Sequence, residues 1–542
     1  MKETLRKKIN LAIKKLFKIE IDQYDISVPE REDFGDFSTN IAFLLSKKLK
    51  KNPREIADAL VGAIHELPLR EIQKIESCDG FINFFLDPSV YLKDLNNILK
   101  EKSDYGSANI GKGKKIQIEF ISANPTGPLT LGNGRGGFSG DTLSNVLAKN
   151  GYKVAREYYV NDAGNQVKIL AKSVYKNLGL EIEIAEGEDI YGGEYIEYVA
   201  RKIKKQKGLE WIRRNFERTG EMAAKIILDE FIKKDVKFLG IKFDRWFNEQ
   251  RLFREKLIYK IWDFFKAKNL VYEYEGAYWL KTSLFGDEKD RVVKTTGGDF
   301  TYLMSDAAYL YERFSLRKFD KIIILLGADH HGYIGRFQAV AKILKHEGKL
   351  DLIVFQLVHL TSGGKEVRMS KRKGTFITLR EAAEEMSLES ARYFFISKDF
   401  DHHIDIDLDL AKEQSVKNPI FYIQYASARI HSVLSKAKNP KSQAPNPKQI
   451  PNPNDQNIKY EINLIKKLSQ YPEIVKEVGE TYQVYRIPFF AHEVTEEFHK
   501  FYENCRIIGD EREAVRLKII KATEIVLKDC LGLMGIEAKN RM

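Results

Sequence analysis

The sequence predicts a multidomain α/β protein, in which a domain built on a parallel sheet lies between a small α+β domain and an all-helical domain. The chain has 542 residues, more than one hydrophobic core usually organises. Strand–loop–helix–strand units begin near residues 116 and 320, and such units imply parallel strands. Beyond residue 390 the apolar residues recur mostly at helical spacing. We therefore place the domains at residues 1–105, 106–390 and 391–542.

The composition is that of a folded, basic protein. Hydrophobic residues make up 43% and charged residues 31%, which excludes a disordered chain. The formal net charge of +12 favours a polyanionic partner such as nucleic acid, although a lysine-rich solvated surface would give the same value.

The cysteines and the hydropathy limit the other classes. Cys78, Cys505 and Cys530 lie far apart and form no CxxC pair, so a disulfide framework or a structural zinc site is not expected. No stretch approaches the ~20 apolar residues that span a bilayer. We expect a cytoplasmic protein with no membrane partner and no protein-bound metal.

The first 105 residues read as helices with short strands. Leu5, Ile9, Ile13 and Leu16 repeat at helical spacing and predict a first helix. That basic segment could imitate a transit peptide, but it lacks serine and runs straight into patterned sequence. Residues 41–64 predict helices broken at Asn52 and Pro53, and residues 80–87 predict an apolar strand.

The middle of the chain predicts a Rossmann-type sheet. Residues 116–120 and 153–160 read as strands on either side of a helix at about 133–149, which a glycine at 151 can close. Charged amphipathic segments at about 165–290 predict a helical insertion. The sheet resumes with strands at 321–326 and 352–360, joined by a helix at 334–347.

The last domain reads as helical around one loop. Residues 439–457 are rich in proline, asparagine and lysine and cannot hold a helix or a sheet, so we expect a loop there. Residues 459–542 predict three or four amphipathic helices.

The loop after the first strand of the sheet reads SANPTGPLTLGNGRGG (122–137). It follows a strand carboxyl end, where open α/β sheets bind ligands. Its glycines allow a ligand close to the backbone, the next helix offers its N-terminus to phosphate, and Asn133 could cap that helix. The pattern is neither GxGxxG nor a P-loop, and an ordinary tight turn would need the same glycines.

This loop resembles the first signature of class I aminoacyl-tRNA synthetases in its arginine-specific form, S-x-N-P-T-G-P-L-H-x-G-H. Thr130 and Asn133 stand where the family has histidines, a form that occurs in tryptophanyl relatives, and both can still hydrogen-bond phosphate and ribose. The resemblance implies that Thr130 and Asn133 take part in catalysis. It also implies that ATP contacts Ala123, Asn124, Pro125, Thr126, Gly127, Pro128, Leu129, Leu131 and Gly132.

A second motif, RMSKR at 368–372, resembles the family's lysine-rich KMSKS loop. Lysines on a mobile loop can close over the phosphate oxygens that gain charge as pyrophosphate leaves. A basic run alone would usually be a solvated loop, but this one follows the second βαβ unit. The resemblance implies that Lys371 and Ser370 are catalytic, and that Met369, with Asp329 and His330 after the predicted strand at 321–326, contacts ATP.

The resemblance also implies the residues of an arginine pocket. A guanidinium is a planar cation that is best held by buried carboxylates. Glu249 matches the family's F-x-E-S segment, and Tyr302 and Asp306 match its Y-x-x-x-D pair, which shares one helix face. Ser122 and Asn124 would hold the substrate's α-amino and carboxylate groups. Each carboxylate taken alone would more often be a surface charge.

Residues 391–431 and the final helices resemble the stem-contact and anticodon-binding helices of the arginyl enzymes, and residues 31–40 resemble their additional N-terminal domain. Aromatic and arginine side chains there can stack on unpaired bases or pair with phosphates, although any one of them could equally be core. On this basis Tyr425, Arg429, Tyr502 and Arg506 are expected to contact tRNA.

The resemblance therefore implies a ligase that activates L-arginine with ATP and its Mg²⁺, releases pyrophosphate, and passes arginine to the 3′-terminal ribose of tRNA(Arg), leaving AMP. We expect a monomer with no editing domain, since a forked cation is discriminated well at one site. One alternative is a non-catalytic tRNA-binding relative, given the two missing histidines. Another is a dehydrogenase using Asp162, which lacks the glycine fingerprint.

Overall fold

The structure is a computed structural model that describes residues 2–21, 23–29, 31–67, 71–162, 164–185, 188–367, 377–437 and 457–542. The side chains of residues 32 and 329–331 also lie outside this description. Among the helices of the described residues, none is long and apolar enough to cross a bilayer.

The N-terminal domain is an antiparallel sheet with helices packed on it. Its strands lie in the order β1-β2-β4-β3. The predicted helix break is confirmed, because the Asn52 side chain accepts a hydrogen bond from the Arg54 amide and Pro53 opens the next helix. The sequence indicated only the strand at residues 80–87 and not the other three, and Leu16 is exposed rather than part of the buried stripe. The elements are α1 (Lys2–Phe17), β1 (Ile26–Ser27), β2 (Phe37–Thr39), α2 (Ile41–Leu49), α3 (Pro53–His65), β3 (Ile72–Cys78), β4 (Phe81–Leu86) and α4 (Pro88–Glu101).

A five-stranded parallel sheet forms the centre of the next domain. In chain order its first elements are β5 (Lys115–Glu119), helix α5 (Leu131–Lys149) and β6 (Lys153–Val160). Helices α6 (Asn165–Asn177), α7 (Glu194–Lys207), α8 (Leu209–Arg214), α9 (Phe216–Ile227) and α10 (Lys233–Phe238) follow, and then strand β7 (Arg245–Asn248). The chain continues through helices α11 (Gln250–Arg254) and α12 (Leu257–Ala267), a separate antiparallel sheet of β8 (Val271–Tyr274), β9 (Ala277–Leu280) and β10 (Arg291–Lys294), helix α13 (Tyr302–Tyr311), β11 (Lys321–Gly327), helix α14 (Ile334–Ile343) and β12 (Leu350–Phe355).

The strand order places a switch point at the middle of this sheet. The order is β12-β11-β5-β6-β7, and every neighbouring pair is parallel. Connections from β5 run one way and those from β11 run the other, so a crevice opens between their carboxyl ends. This doubly wound arrangement is the predicted Rossmann-type fold.

Two details of the sheet differ from the prediction. Strand β7 lies inside the segment 165–290 that was predicted as a helical insertion, so that segment is divided by a strand of the main sheet. The apolar run 352–360 was predicted as one strand, but it breaks after Phe355, and its second half joins another sheet. Both errors arise because short apolar runs carry no information about which sheet they join.

Helix α5 crosses the central sheet and is buried along almost its whole length. A Cβ on Gly140 would lie 2.3 Å from Phe120 Cγ, so glycine permits this close packing of helix on sheet. Gly151, with φ +83°, ends the helix in the left-handed region as predicted. The helix begins at Leu131, and its N-cap is Thr130, so Asn133 is its third residue rather than the predicted cap.

The chain then passes through a small sheet and a helical bundle. Strand β13 (Val358–Ser362) pairs with β14 (Lys365–Glu366) and, in parallel, with β15 (Ile404–Asp407), a strand that the helical prediction beyond residue 390 missed. The helices are α15 (Leu379–Met386), α16 (Leu388–Phe394), α17 (Leu408–Lys412), α18 (Pro419–Ala437), α19 (Ile458–Ser469), α20 (Tyr471–Thr481), α21 (Arg486–Asn504) and α22 (Glu513–Leu533). Within residues 457–542 four helices are present, at the upper end of the expected number.

The end of the bundle is fastened to helix α5. Asn145 Nδ2 donates to the Leu533 carbonyl at 2.9 Å. Arg392 Nη1 donates to the Met534 carbonyl at 2.8 Å and to Asp141 Oδ2 at 2.9 Å. These contacts satisfy carbonyl groups at the C-terminus of α22 that have no partner within their own helix.

Candidate functional site

A cavity of about 710 Å³ opens at the carboxyl edge of the central sheet, beside the switch point between β5 and β11. Glycine, backbone and polar groups from the first-signature loop form one wall, and residues that follow β12 form another. The lining residues are Glu119, Ile121, Ser122, Ala123, Asn124, Thr126, Gly127, Pro128, Thr130, Gly132, Asn133, Tyr159, Asn161, Asp189, Ile190, Tyr191, Tyr195, Asp306, Leu325, Leu326, Gly327, Ala328, Tyr333, Phe337, Phe355, Gln356 and Leu357.

Most of the residues predicted to contact ATP line this cavity. Ala123, Asn124, Thr126, Gly127, Pro128 and Gly132 do so. Pro125, Leu129 and Leu131 do not, because they are buried beneath the loop and hold it against the sheet. The buried members of the motif therefore support the loop, and its half-exposed members, Ala123 and Pro128 among them, face the space where a ligand can lie.

Thr130 and Asn133 form the cap of helix α5. The Thr130 amide and hydroxyl both donate to Asn133 Oδ1, at 2.8 and 3.1 Å. Both residues also line the cavity, so the cap is part of its wall. The helix N-terminus carries unpaired N–H groups and a partial positive charge, which together make it suited to phosphate oxygens.

The backbone before the cap is strained at two successive positions. Ile121 has φ +65° and Ser122 has φ +39°, and neither is glycine. Non-glycine residues in this region cost free energy, and such strain concentrates at functional sites. Ser122 is fixed there because its Oγ accepts a hydrogen bond from the Tyr159 amide at 3.0 Å. The strain turns residues 122–124 into the cavity.

Besides the exposed Asp189, two carboxylates line the cavity, Glu119 from the end of β5 and Asp306 from α13. Desolvation and the nearby charge of Glu249 raise the pKa of Asp306 to about 7, although Arg336 and Arg313 oppose that rise. Desolvation also raises the pKa of Glu119. A cation that enters and compensates their charge would therefore stabilise the ionised form of both groups.

Glu249 lies behind this pair rather than in the cavity wall. It is 4% exposed and is hydrogen-bonded through its side chain to Ser305 and Tyr159. Burial raises its pKa, and the charge of Asp162 adds to that rise. The structure thus brings Glu249 close enough to Asp306 for their charges to interact, as the sequence led us to expect, but it places Glu119 in the wall.

Glu119 was not predicted as a site residue because it ends a strand that reads as buried. Arg313 Nη1 donates to Glu119 Oε2 at 2.7 Å and to Gln117 Oε1 at 3.1 Å. The usable signal was an acidic residue in a buried strand next to the signature, since a buried carboxylate needs a partner. Tyr302, which was predicted, is 49% exposed and does not line the cavity.

The predicted insertion supplies a third side of the cavity. Asp189, Tyr191 and Tyr195 line it, and Tyr195 Oη donates to the Thr126 carbonyl at 3.0 Å. The Tyr195 ring lies about 3.3 Å from where a Cβ on Gly127 would be, so a larger residue there would crowd this contact. No sequence pattern indicated these residues, because the insertion was recognised only by its charge and helical spacing.

The second signature lies outside the described residues. Met369, Ser370 and Lys371 fall within 368–376, and the side chains of Asp329 and His330 are also undescribed. The residues that follow the signature are placed, however. Thr378 pairs with Thr130 in an isolated antiparallel bridge, and the Leu379 amide donates to the Leu129 carbonyl at 2.9 Å. The exit of the second signature is therefore anchored beside the first.

Three of the four residues predicted to contact tRNA meet in the bundle. The guanidinium carbon of Arg429 lies 4.7 Å from the ring centroids of both Tyr425 and Tyr502, and Arg429 also donates to the Tyr425 hydroxyl. Arg506 is exposed on the loop after α21, where its Nε donates to the Ile508 carbonyl at 3.3 Å. All three clustered side chains keep part of their surface in solvent.

A doubly wound sheet with this signature loop at its switch point defines a class I aminoacyl-tRNA synthetase catalytic domain, and comparison with known proteins agrees. The family described as tRNA synthetases class I (R), catalytic domain, matches residues 94–429. The arginyl tRNA synthetase N terminal domain matches residues 3–86, and the DALR anticodon binding domain matches residues 423–542.

Full-length relatives show the particular family. An arginine–tRNA ligase of Halalkalibacterium halodurans is 39% identical over 558 residues, covering 100% of this chain and 99% of that protein. One from Desulforamulus reducens is 38% identical with the same coverage. The Thermus thermophilus arginyl-tRNA synthetase structure shares the fold at a TM-score of 0.75, 19% identity and full coverage of both chains. The chain belongs to the arginyl-tRNA synthetase family, which confirms the predicted family and fold class.

Proposed function

We propose that this chain activates L-arginine with ATP and transfers it to the 3′-terminal ribose of tRNA(Arg). Class I synthetases use ATP, and the relatives that match this chain over its full length are arginine–tRNA ligases. One structural observation supports the proposal most directly. A single cavity is lined by the carboxylates of Glu119 and Asp306 and by the capped N-terminus of helix α5. The two carboxylates suit a guanidinium, and the helix N-terminus suits phosphate.

In the first step the arginine carboxylate attacks the α-phosphorus of MgATP, the bond to the bridging oxygen breaks, and pyrophosphate leaves. Asp306 and Glu119 hold the guanidinium, and Ser122 and Asn124 hold the α-amino and carboxylate groups. The start of α5, with Thr130 and Asn133, meets the phosphates. Lys371 and Ser370 close over the leaving pyrophosphate, and Met369, Asp329 and His330 contact the nucleotide. Mg²⁺ enters with ATP and is held by phosphate oxygens.

In the second step the terminal ribose hydroxyl of the tRNA attacks the carbonyl of arginyl-adenylate and AMP leaves. No protein nucleophile is needed, because positioning and electrostatic stabilisation supply the rate. Tyr302, exposed at the start of the helix that carries Asp306, is proposed to contact arginine. Glu249 acts from behind through its charge, which raises the pKa of Asp306. Tyr425, Arg429, Tyr502 and Arg506 contact the anticodon arm. We propose a cytoplasmic monomer that needs no membrane partner.

The test is arginine-dependent pyrophosphate exchange and aminoacylation, with lysine and citrulline as competitors. Citrulline has nearly the shape of arginine without the charge, so it leaves both carboxylates uncompensated and is rejected. Asp306→Asn is expected to raise the KM for arginine about 100-fold, equivalent to ~3 kcal/mol, with little change in the KM for ATP.

A matched control is Asp263→Asn, an aspartate whose side chain is 72% exposed on α12. It should behave as wild type in both assays. Absence of pyrophosphate exchange by the wild-type protein with arginine, ATP and tRNA would instead support a tRNA-binding relative without catalysis. An unchanged arginine KM in Asp306→Asn would refute the pocket.

A further inference from the structure

Arg135 is a buried cation one turn beyond the cap of helix α5. It is 1% exposed, and burial lowers its pKa to about 10, so it remains charged at neutral pH. Its Nη1 donates to the carbonyls of Gln356 at 2.8 Å and His402 at 2.6 Å. Its Nη2 donates to the Asp399 carbonyl at 2.6 Å. A buried guanidinium is costly unless such partners compensate its charge, so these bonds are strongly held.

The Gln356 carbonyl belongs to a segment that lines the cavity, and the Asp399 and His402 carbonyls belong to the segment paired with it. Gln356 and Leu357 line the cavity, as do Thr130 and Asn133 at the start of helix α5. The Gln356 amide donates to the Phe400 carbonyl at 3.0 Å, and the Ile404 amide donates to the Leu357 carbonyl at 3.1 Å. Arg135, on the helix whose start lines the cavity, therefore binds both of these paired backbone segments, the one at Gln356 and the one at Asp399 and His402.

The segment of Gln356 and Leu357 also leads into the strands that precede the second signature. Residues 356 and 357 run into strand β13, which pairs with β15 and turns through β14 directly before residue 368. A shift of β13 relative to α5 would change the width of the cavity and the position of the chain just before residue 368. Three hydrogen bonds from one rigid, planar group can fix that spacing better than a flexible ammonium can.

We propose that Arg135 is a positioning residue that sets the separation between the helix α5 wall and the Gln356–Leu357 wall, and thereby the fit of ATP. This inference rests on the proposed function. It predicts a selective effect on the nucleotide, because the Glu119–Asp306 part of the cavity lies on other elements. A residue that only stabilised the fold would affect ATP and arginine alike.

The experiment compares Arg135→Lys with Arg392→Lys. Arg392 is also 1% exposed, binds the Leu239 and Met534 carbonyls, and pairs with Asp141 on the same helix α5, away from the cavity. Both substitutions keep a positive charge and lose the planar fork. We expect both to lower the unfolding temperature. Only Arg135→Lys should weaken ATP binding in equilibrium dialysis and raise the ATP KM in pyrophosphate exchange, each about tenfold, with the arginine KM unchanged.

Arg135→Gln is the second variant, because its side-chain amide keeps two N–H donors without the charge. It is expected to show the same selective loss of ATP affinity. Wild-type ATP affinity in both Arg135 variants, or equal losses for ATP and arginine, would overturn the proposal. So would failure of both Arg135 variants to fold when Arg392→Lys folds. Dialysis needs no turnover, so a wild-type protein that binds ATP but performs no exchange would contradict the proposed function and leave the positioning test readable.

Discussion

Thr130, the cap of helix α5, forms a β-bridge with Thr378, the second residue after the undescribed segment 368–376. The same Thr378 caps helix α15, since its hydroxyl accepts from the Glu381 amide at 3.1 Å. Two helix starts thus meet at one point beside the cavity. Lys371 is seven residues before Thr378, a distance that a chain spans within about 25 Å at most. The bridge fixes the chain that follows the second signature beside the first.

Replacement of Lys371 tests whether the second signature takes part in catalysis. Lys371→Ala should lower kcat for pyrophosphate exchange about 100-fold, because the ammonium group acts on charge that develops as pyrophosphate leaves. Arginine binding measured by calorimetry should be unchanged. Lys365→Ala on the exposed strand β14 serves as the control and should retain wild-type kcat. A Lys371→Ala enzyme with normal kcat would exclude the catalytic role.

Arginine recognition should depend on pH near neutrality. The pKa of Asp306 is raised to about 7 without substrate, so its carboxylate is lost as pH falls through 7. The arginine KM should therefore rise towards tenfold for each pH unit below 7, while the ATP KM stays flat. Steady-state exchange between pH 5.5 and 8.5 gives both values. A flat arginine KM over that range would contradict the assignment.

The same raised pKa affects the stability of the protein without substrate. A carboxyl with a folded-state pKa of about 7 and an ordinary value of 3.8 stabilises the fold at low pH. That contribution is lost as pH rises from about 4 to 7, and it levels off above 7. Saturating arginine should reverse the trend, because it binds the ionised form. Thermal unfolding with and without arginine measures the difference, and Asp306→Asn should remove it.

Glu249 and Glu119 should give different phenotypes. The charge of Glu249 raises the pKa of Asp306, so Glu249→Gln should move the acid limb of the arginine KM profile to lower pH. Glu119→Gln should raise the arginine KM at every pH about tenfold or more, because it removes a carboxylate from the cavity wall. Identical profiles for the two variants would show that the cavity wall is misassigned.

Substitution of Arg429, which lies between Tyr425 and Tyr502 in the bundle, tests the proposed contact with the anticodon arm. Arg429→Ala should weaken tRNA binding and reduce its salt dependence by about one phosphate contact, without changing arginine-dependent parameters at saturating tRNA. Filter binding at several salt concentrations measures both effects. Arg486→Ala, which removes a cation paired with Glu477 on the same helical bundle, is the control and should bind tRNA as wild type does.

The parts of the fold predicted correctly are those in which local sequence decides the outcome. The helix break at Asn52–Pro53, the strands on either side of α5, and the glycine at 151 each follow from a cap, a buried run or a backbone conformation. Strands β7 and β15 were missed because each has four residues and is defined by distant partners, Glu157–Val160 and Val358–Thr361.

The site divided in the same way. Residues 122–133 could be found because their motif is contiguous, but the motif did not distinguish Asn124, which faces the cavity, from Leu129, which supports it. Glu119 and Tyr195 reach the cavity through tertiary packing, Glu119 held by Arg313 and Tyr195 by Thr126. The local sequence of Tyr195, at the start of an amphipathic helix, carries no sign of this role, and that of Glu119 carries only its charge within a buried strand.

The fastening of α22 onto α5 has a consequence for biosynthesis. The bond between Asn145 and the Leu533 carbonyl joins residues 388 positions apart, and Arg392 meets Met534 only when the last turn of α22 exists. During translation Asn145 and Arg392 therefore lack these partners until almost the whole polypeptide has emerged. Such late, long-range closure is slow, and a chain stopped before residue 533 would leave helix α5 without these contacts.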